Sequence, residues 1–184
     1  MEYRKMIILK DGRECCLRKG TERDGLDALE NFRLAHEQTD FLLTYPEENT
    51  NTPEQEAKFL RDKTESSGEV QILAEIGGKI AGIAGLTSLG TKEKIRHRVD
   101  FGISIDRTYW GLGIGRALTE ACIECARKAG YSQMELSVVA ANKRAVALYE
   151  RLGFVEYGRN PRGFRSRLTG WQELVLMRLE LDES

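Results

Sequence analysis

The sequence has few histidines and prolines, no surplus of either charge and no long hydrophobic run. Its 184 residues include two histidines and three prolines, and 41% of them are hydrophobic, which is typical of an ordinary soluble globular protein. Lysine and arginine number 28 against 29 aspartate and glutamate residues, so the net charge is -1. Nucleic-acid binding leaves a basic surplus, and we therefore expect no nucleic-acid partner.

The sequence also lacks segments that would direct it to a membrane. No apolar run approaches the ~20 residues that a membrane-spanning helix needs, so we expect no membrane association. The opening stretch MEYRKMIILK lacks the apolar segment of a secretory signal peptide. The sequence therefore predicts a cytoplasmic protein.

The four cysteines predict neither a metal site nor a disulfide. Cys122 and Cys125 have the spacing of a zinc half-site, but they fall on the apolar stripe of a predicted helix, where a thiol packs as a small hydrophobic group. Cys15 and Cys16 are adjacent, so on a strand their side chains point to opposite faces. Since histidine is scarce and the expected setting is cytosolic, we predict no metal and no disulfide.

The chain length is close to that of one domain, and no repeat, linker or low-complexity tract interrupts it. We predict a single domain over residues 1–184 with mixed α/β (α+β) structure. The predicted strands are Met6–Leu9, Glu14–Arg18, Val70–Ile76, Lys79–Leu89, Arg98–Ile105, Met134–Val139, Phe154–Gly158 and Glu173–Leu181. The predicted helices are Gly25–Gln38, one capped by Thr52 that ends near Ser66, one that ends at Ala129, and Asn142–Leu152.

A glycine-rich segment, Gly111–Gly115, lies between the strand Arg98–Ile105 and the helix that ends at Ala129. Glycines at alternate positions let the backbone approach a ligand closely. The first N–H groups of a helix have no partner within the helix and together carry about half a positive charge. This order of elements therefore predicts an anion site suited to a diphosphate.

Two other nucleotide-binding motifs fit this segment poorly. A P-loop needs a lysine followed by serine or threonine, and no such pair follows Gly115. The dinucleotide motif G-x-G-x-x-G needs a third glycine where Arg116 stands, close behind its strand. An NAD-dependent enzyme therefore stays only as a control hypothesis.

A second motif, later in the chain, distinguishes between these interpretations of the glycine-rich segment. The stretch ANKRAVALYERLGF begins a predicted helix at Asn142, a favoured N-cap residue, and places Tyr149 beside an otherwise aliphatic stripe. Together with the glycine segment, it resembles the signature motifs of the GNAT superfamily, the acyl-CoA-dependent N-acyltransferases. The signature N-x-x-A-x-x-L-Y-x-x-x-G-F is matched in full by Asn142, Ala145, Leu148, Tyr149, Gly153 and Phe154.

The resemblance implies a fold and a cosubstrate. The fold is a mostly antiparallel, twisted central sheet of about seven strands with one splayed parallel pair, flanked by about four helices. Acetyl-CoA would lie between the paired strands Val99–Ile105 and Met134–Val139. The residues implied to bind it are Ile103, Ser104, Ile105, Trp110, Gly111, Leu112, Gly113, Ile114, Gly115, Arg116, Asn142, Ala145 and Tyr149.

One position departs from the first family motif. Trp110 stands before the glycines, where relatives usually have glutamine or arginine. Because backbone groups do most of the diphosphate binding, we expect acetyl-CoA binding to survive this change. Arg116, one residue beyond the last glycine, is the candidate that restores the missing charge.

The resemblance further implies transfer of an acetyl group to a primary amine by direct attack in a ternary complex. The amine must first lose a proton, and the leaving thiolate benefits from gaining one. Tyr149 matches the position of the family's general acid. Asp100 is the first candidate for the general base, because it faces away from the apolar residues of its strand. Glu135, His97 and water stay open as alternatives.

The sequence leaves the acceptor amine open, because two charged clusters suit opposite ligands. The family's acceptor region corresponds to Phe32–Asn51, whose acidic residues suit a cationic amine. The stretch GRNPRGFRSR suits an anionic acceptor or the phosphates of CoA. The acidic residues are Glu37, Asp40, Glu47 and Glu48, and the basic residues are Arg159, Arg162, Arg165 and Arg167.

One alternative function and one possible assembly also stay open. A non-catalytic module that senses acyl-CoA would keep the binding residues, although the full second motif with Tyr149 favours an enzyme. A homodimer also stays open, since the alternating apolar segment Val175–Leu181 suits either a core strand or an edge strand in a dimer.

Overall fold

The computed structural model describes residues 2–181, so residue 1 and residues 182–184 of the predicted domain lie outside the described residues. The strands are β1 (Arg4–Ile8), β2 (Glu14–Lys19), β3 (Val70–Ile76), β4 (Lys79–Ser88), β5 (Arg98–Ile105), β6 (Gln133–Val139), β7 (Val155–Ser166) and β8 (Gly170–Glu180). The α-helices are α1 (Gly25–Glu37), α2 (Pro53–Glu65), α3 (Ile114–Lys128) and α4 (Lys143–Arg151).

The strands form one eight-stranded sheet in the order β1-β2-β3-β4-β5-β6-β8-β7. Every neighbouring pair is antiparallel except β5 and β6, which run parallel. The predicted α/β fold with one parallel pair and four helices is confirmed, with eight strands where about seven were expected.

Helices cover both faces of the sheet. Neighbouring residues of a strand point to opposite faces, so each strand contributes apolar side chains to both layers. On β3, Ile72 and Ala74 belong to the core that includes Leu118 of α3. Leu73, between them, lies on the other face together with Leu60 of α2, and both would contact a Cβ added at Gly20. The helices α1 and α2 therefore enclose one face and α3 covers the other.

Capping residues determine where α2 begins. The backbone N–H of Gln55 donates to Thr52 Oγ1 at 3.3 Å, and the N–H of Thr52 donates to Gln55 Oε1 at 2.9 Å. This capping box is the one that the sequence predicts. Gly25, at the start of α1, lets α2 pack very closely, since an added Cβ would lie 2.6 Å from the carbonyl oxygen of Pro53.

The last hairpin departs from the prediction. β7 continues to Ser166 instead of ending near Gly158. Its register shifts twice against β8, which interrupts the alternation of side chains, so the sequence pattern did not indicate the second half of the strand. β8 lies between β6 and β7. Of the two alternatives left open for Val175–Leu181, the structure therefore selects the core strand, since β8 has a neighbour on each side. A homodimer stays a prediction.

All four cysteines are free and buried, and burial raises the pKa of the Cys122 thiol. Within residues 2–181, no group of three or more histidine, cysteine, aspartate or glutamate side chains is placed to hold a metal ion. Over the same range, no helix combines the length and hydrophobicity required to cross a membrane.

Candidate active site

A cleft opens where the parallel strands β5 and β6 separate. Their backbones pair over three positions, from Arg98 opposite Gln133 to Asp100 opposite Glu135, and not beyond. Past this point β5 stays hydrogen-bonded to β4, and β6 stays hydrogen-bonded to β8. The edges of β5 and β6 that face each other therefore diverge. The separation confirms the predicted splayed pair and leaves strand backbone without a strand partner, ready to bind an extended polar ligand.

The cleft is part of a cavity of about 1100 Å³. Gly102–Ile105 of β5 and Leu136–Val138 of β6 line it on either side of the separation. The predicted acetyl-CoA residues Ile103, Ser104 and Ile105 therefore lie on its wall. Gly102 faces open space, since an added Cβ would meet no atom within 4 Å.

The glycine segment forms one end of this cavity. Gly111 and Gly113 have φ angles of 89° and 100°, a left-handed conformation that strongly favours glycine. Gly113 is the N-cap of α3, and a Cβ added to it would meet no atom within 4 Å. Ile114 and Gly115 follow in the first turn of the helix and also line the cavity. This end therefore offers the N-terminal N–H groups of α3 to a ligand, as the sequence predicted.

Of the other residues expected at acetyl-CoA, most line the cavity and one does not. Trp110, Arg116, Asn142, Ala145 and Tyr149 are all part of the wall. Leu112 lies behind it, packed against the core, and its carbonyl oxygen accepts a hydrogen bond from the N–H of Lys10 at 3.2 Å.

Trp110 ties the glycine segment to the end of β5. Its Nε1–H donates to the carbonyl oxygen of Ile105 at 2.9 Å, while its side chain stays 40% exposed. The tryptophan therefore supports the cavity wall, and it supplies neither the amide group of glutamine nor the positive charge of arginine.

Two cations near the glycine segment were missed by the sequence analysis. Lys10 lines the cavity from the β1–β2 turn, and Arg144 lines it from the first turn of α4. The Nη2 atom of Arg144 lies 3.3 Å from the position of a Cβ added at Gly111. Arg116, which was predicted, also lines the cavity but forms an ion pair with Glu120 at 2.8 Å. One signal in the sequence could have indicated Arg144, because it comes two residues after the helix cap Asn142.

Tyr149 is positioned by α4 and by aromatic packing. Asn142 caps the helix, accepting a hydrogen bond from the N–H of Ala145 at 3.3 Å, as predicted. Tyr149 is 6% exposed, and its ring centroid lies 6.2 Å from that of Phe101 and 5.7 Å from that of Phe154. Burial raises the pKa of Tyr149, so its hydroxyl keeps its proton at neutral pH.

Asp100 lies at the last paired position of β5 and lines the same cavity. Its side chain is exposed to solvent, and the nearby cavity walls partly desolvate its carboxyl group. This desolvation, together with the neighbouring charge of Glu135, raises the pKa of Asp100 to about 6. The carboxyl group is therefore mostly ionised at pH 7 and can take up a proton near neutral pH.

The other two side-chain candidates for the base do not line the cavity. Glu135 is held in an ion pair by Arg98, whose Nη2 lies 2.8 Å from its Oε2, and it also accepts a hydrogen bond from Gln133. The Arg98 hydrogen bond lowers the pKa of Glu135. His97 lies in the turn before β5. Among the three side chains, the structure brings Asp100 alone into the cavity with Tyr149.

Two residues of the predicted acidic cluster, Asp40 and Glu47, contact the final hairpin. Asp40 accepts hydrogen bonds from Ser166 at 2.6 Å and Thr169 at 2.9 Å, and Glu47 pairs with Arg167. Neither Glu37 nor Glu48 lines the cavity either. These four acidic residues therefore give no support for a cationic acceptor in this cavity.

The arginines of β7 are likewise absent from the cavity wall. Arg159 pairs with Glu156 at 2.7 Å and with Glu173 at 3.1 Å. Arg162 and Arg165 each stack over the ring of Trp171 at 5.3 Å. The basic cluster therefore gives no support for an anionic acceptor in this cavity.

Comparison with known proteins identifies the family. The model of the acetyltransferase (GNAT) family matches residues 33–154, which include β5, the glycine segment and α4. The chain belongs to the GNAT acetyltransferase family. This confirms the resemblance drawn from the two motifs and places the chain among the acyl-CoA-dependent N-acyltransferases.

Two solved structures are similar to this chain over most of the fold. A GNAT acetyltransferase from Streptococcus pneumoniae superposes with a TM-score of 0.85 at 29% identity, covering 91% of this chain and 99% of that chain. The Salmonella typhimurium protein yncA, solved with its cofactor acetyl-CoA, has a TM-score of 0.79 at 21% identity and covers 98% of this chain and 96% of its own.

Curated relatives match over shorter segments. The L-amino acid N-acyltransferase MnaT of Escherichia coli is 27% identical over 117 residues, which is 64% of this chain and 67% of that protein. The chain spans about half to two thirds of the length of these curated relatives, with values between 54% and 67%.

Proposed function

We propose that this chain transfers the acetyl group of acetyl-CoA to a primary amine bound in the same cavity, by direct attack in a ternary complex. One observation carries the proposal: Asp100 and Tyr149 line a single cavity that begins between the splayed strands and ends at the N-terminus of α3. The similarity to MnaT, an L-amino acid N-acyltransferase, supports an amine as the acceptor.

The cavity fits acetyl-CoA in shape and in charge. The unpaired inner edge of β5 at Ile103–Ile105 offers backbone donors and acceptors to the amide groups of an extended pantetheine arm. The N–H groups at Gly113–Gly115, with Lys10 and Arg144 nearby, suit the negative charge of the diphosphate. Acetyl-CoA supplies an activated thioester, and the remaining chemistry is proton transfer.

Asp100 acts as the general base in this proposal. An aliphatic amine has a pKa of about 10 and is protonated at pH 7, so it must lose a proton before it attacks. A carboxylate with a pKa of about 6 is ionised at this pH and is basic enough to accept that proton, directly or through one water.

Tyr149 acts as the proton donor to the leaving thiolate. Its raised pKa keeps the hydroxyl protonated over the whole neutral range. Because Tyr149 is largely buried and packs against Phe101 and Phe154, a hydrogen bond from this hydroxyl stabilises developing charge more strongly than it would in bulk solvent.

A steady-state assay tests this function. The protein is mixed with acetyl-CoA and a panel of primary amines, and release of free CoA is followed with a thiol reagent. We expect turnover with at least one amine, a large loss of turnover in Tyr149→Phe, and no loss in Tyr131→Phe, a buried tyrosine outside the cavity wall. Binding of acetyl-CoA without any turnover would refute the enzyme and favour the non-catalytic sensor.

A further inference from the structure

The half of the cavity distant from the glycine segment is lined mainly by apolar side chains. Its wall is formed by α1, the segment joining α1 to α2, α2 itself, β3, β4 and the β7–β8 hairpin, and we call this wall the acceptor chamber. Its large apolar side chains include Phe32, Phe41, Leu43, Phe59, Ile83 and Phe164. Four phenylalanines in one wall suit a ligand group of aromatic size.

Charge in the chamber has one sign among the described residues. Glu56 of α2 lines it, buried, with Oε2 accepting a hydrogen bond from Asn51 at 3.0 Å. His36 also lines the chamber, and burial lowers its pKa, which keeps the ring neutral at pH 7. Asp100 faces the same space from β5. Two carboxylates therefore meet an incoming ligand.

The cations of the cavity lie elsewhere. Among residues 2–181, the lysine and arginine side chains on its wall belong to the β1–β2 turn, α3 and α4, and the acceptor chamber itself has none. These cations are Lys10, Arg116, Arg144 and Arg151. A ligand carboxylate in the chamber would lose its water without gaining a cationic partner, and both acidic side chains would repel it.

We propose that the acceptor is a primary amine with an apolar group of aromatic size and without a carboxylate, so that free α-amino acids are rejected. This rests on the proposed function, and it names the acceptor class of the same site. The ammonium group is attracted by Asp100 and Glu56, and the phenylalanine-lined wall holds the rest of the molecule. A free amino acid presents the same amine beside a charge that the chamber cannot neutralise.

A matched series of three compounds tests the proposal with acetyl-CoA as the donor. Phenethylamine, phenylalanine amide and phenylalanine share the ring and the amine and differ in the group at the α-carbon. We expect kcat/KM for phenethylamine and for the amide to exceed that for phenylalanine by about 100-fold or more. Equal or better use of phenylalanine would overturn the acceptor class while leaving the acetyltransferase function intact.

The results also distinguish failure of the proposed acetyltransferase function from failure of the proposed acceptor class. If none of the three compounds nor any amine of the wider panel is acetylated while acetyl-CoA binds, the proposed function fails and this inference fails with it. If ethylamine is used as well as phenethylamine, the apolar wall contributes nothing to acceptor binding, and the inference is overturned alone.

A charge-insertion variant tests the physical cause. Leu43 lies on the rim of the chamber and is 74% exposed, so Leu43→Arg adds a cation with little effect on folding. We expect the ratio of kcat/KM for phenylalanine to that for phenethylamine to rise about tenfold. The matched control is Leu34→Arg, which places the same charge at a 42% exposed position outside the cavity wall and should leave the ratio unchanged. An unchanged ratio in Leu43→Arg would contradict the explanation by missing positive charge.

Discussion

Replacing Asp100 with asparagine removes a negative charge from the cavity wall and keeps nearly the same volume. In the proposed mechanism this charge accepts the proton of the bound amine. The variant is therefore expected to keep its fold and its affinity for acetyl-CoA while losing most of its turnover. General-base groups usually contribute about 10²- to 10⁴-fold to the rate, and we expect a loss of about 10²-fold or more at pH 7.

The pH dependence gives a sharper test, because the pKa of Asp100 is raised to about 6. With this pKa, about 90% of the carboxyl groups are ionised at pH 7 and about 10% at pH 5. The wild-type value of kcat/KM should therefore fall about tenfold between pH 7 and pH 5, as the carboxylate becomes protonated. In Asp100→Asn this acidic limb should be absent.

The assay is release of CoA at saturating acetyl-CoA over pH 5 to 8, with an amine taken from the panel. Such an amine stays protonated over this range, so a limb near pH 6 belongs to the protein. Asp62→Asn is the control, because Asp62 is an exposed aspartate of α2 outside the cavity wall. A limb that survives unchanged in Asp100→Asn would refute the assignment of the base.

The substitution Asp100→Asn should raise the free energy of unfolding although it lowers turnover. Because the folded protein raises the pKa of Asp100 above its value in the unfolded chain, ionisation of this group disfavours the folded state. Asp100→Asn should therefore be more stable than wild type above about pH 6, and the difference should vanish below the unfolded pKa of about 3.9. Chemical denaturation at pH 8 and pH 3.5 measures both limits, and a less stable variant at pH 8 would contradict the raised pKa.

Three further predictions follow from the site and its supports. Tyr149→Phe should lower kcat about 10²-fold and change acetyl-CoA affinity less than twofold, and an equal kcat would remove the proton-donor role. Gly113→Ala should lose about 1–2 kcal/mol of unfolding free energy because of the left-handed φ of 100°, measured by urea denaturation, and an unchanged midpoint would contradict it. Arg98→Met should leave the buried Glu135 without its cation and cost about 1–3 kcal/mol in the same measurement, whereas a neutral effect would show that the ion pair is replaceable.

Features encoded over short stretches of sequence could be predicted. The alternation along β5 put Asp100 on the cavity face, and the capping residues Thr52 and Asn142 located the starts of α2 and α4. The glycines at 111 and 113 predicted the turn before α3, because their φ angles are ones that other residues rarely adopt.

Features that depend on distant partners could not be predicted in this way. Glu47 looks free in the sequence, but its partner Arg167 is 120 residues away. Lys10 reaches the glycine segment only because the β1–β2 turn packs beside it, and nothing in the surrounding sequence indicates this. The acceptor chamber is likewise assembled from elements separated along the whole chain, so its single sign of charge appears only after folding.

Calorimetric titration of acetyl-CoA into the purified protein tests the central claim most directly, with NAD titrated as a control ligand and Gly113→Val as a variant. In this variant a side chain would project into the open space beside the start of α3 and block the diphosphate. The account predicts one saturable site for acetyl-CoA in the wild type, strong weakening in a folded Gly113→Val variant, and no response to NAD. Failure of the wild-type protein to bind acetyl-CoA, or unchanged binding by the variant, would contradict the claim that the cavity between β5 and β6 holds the acetyl donor.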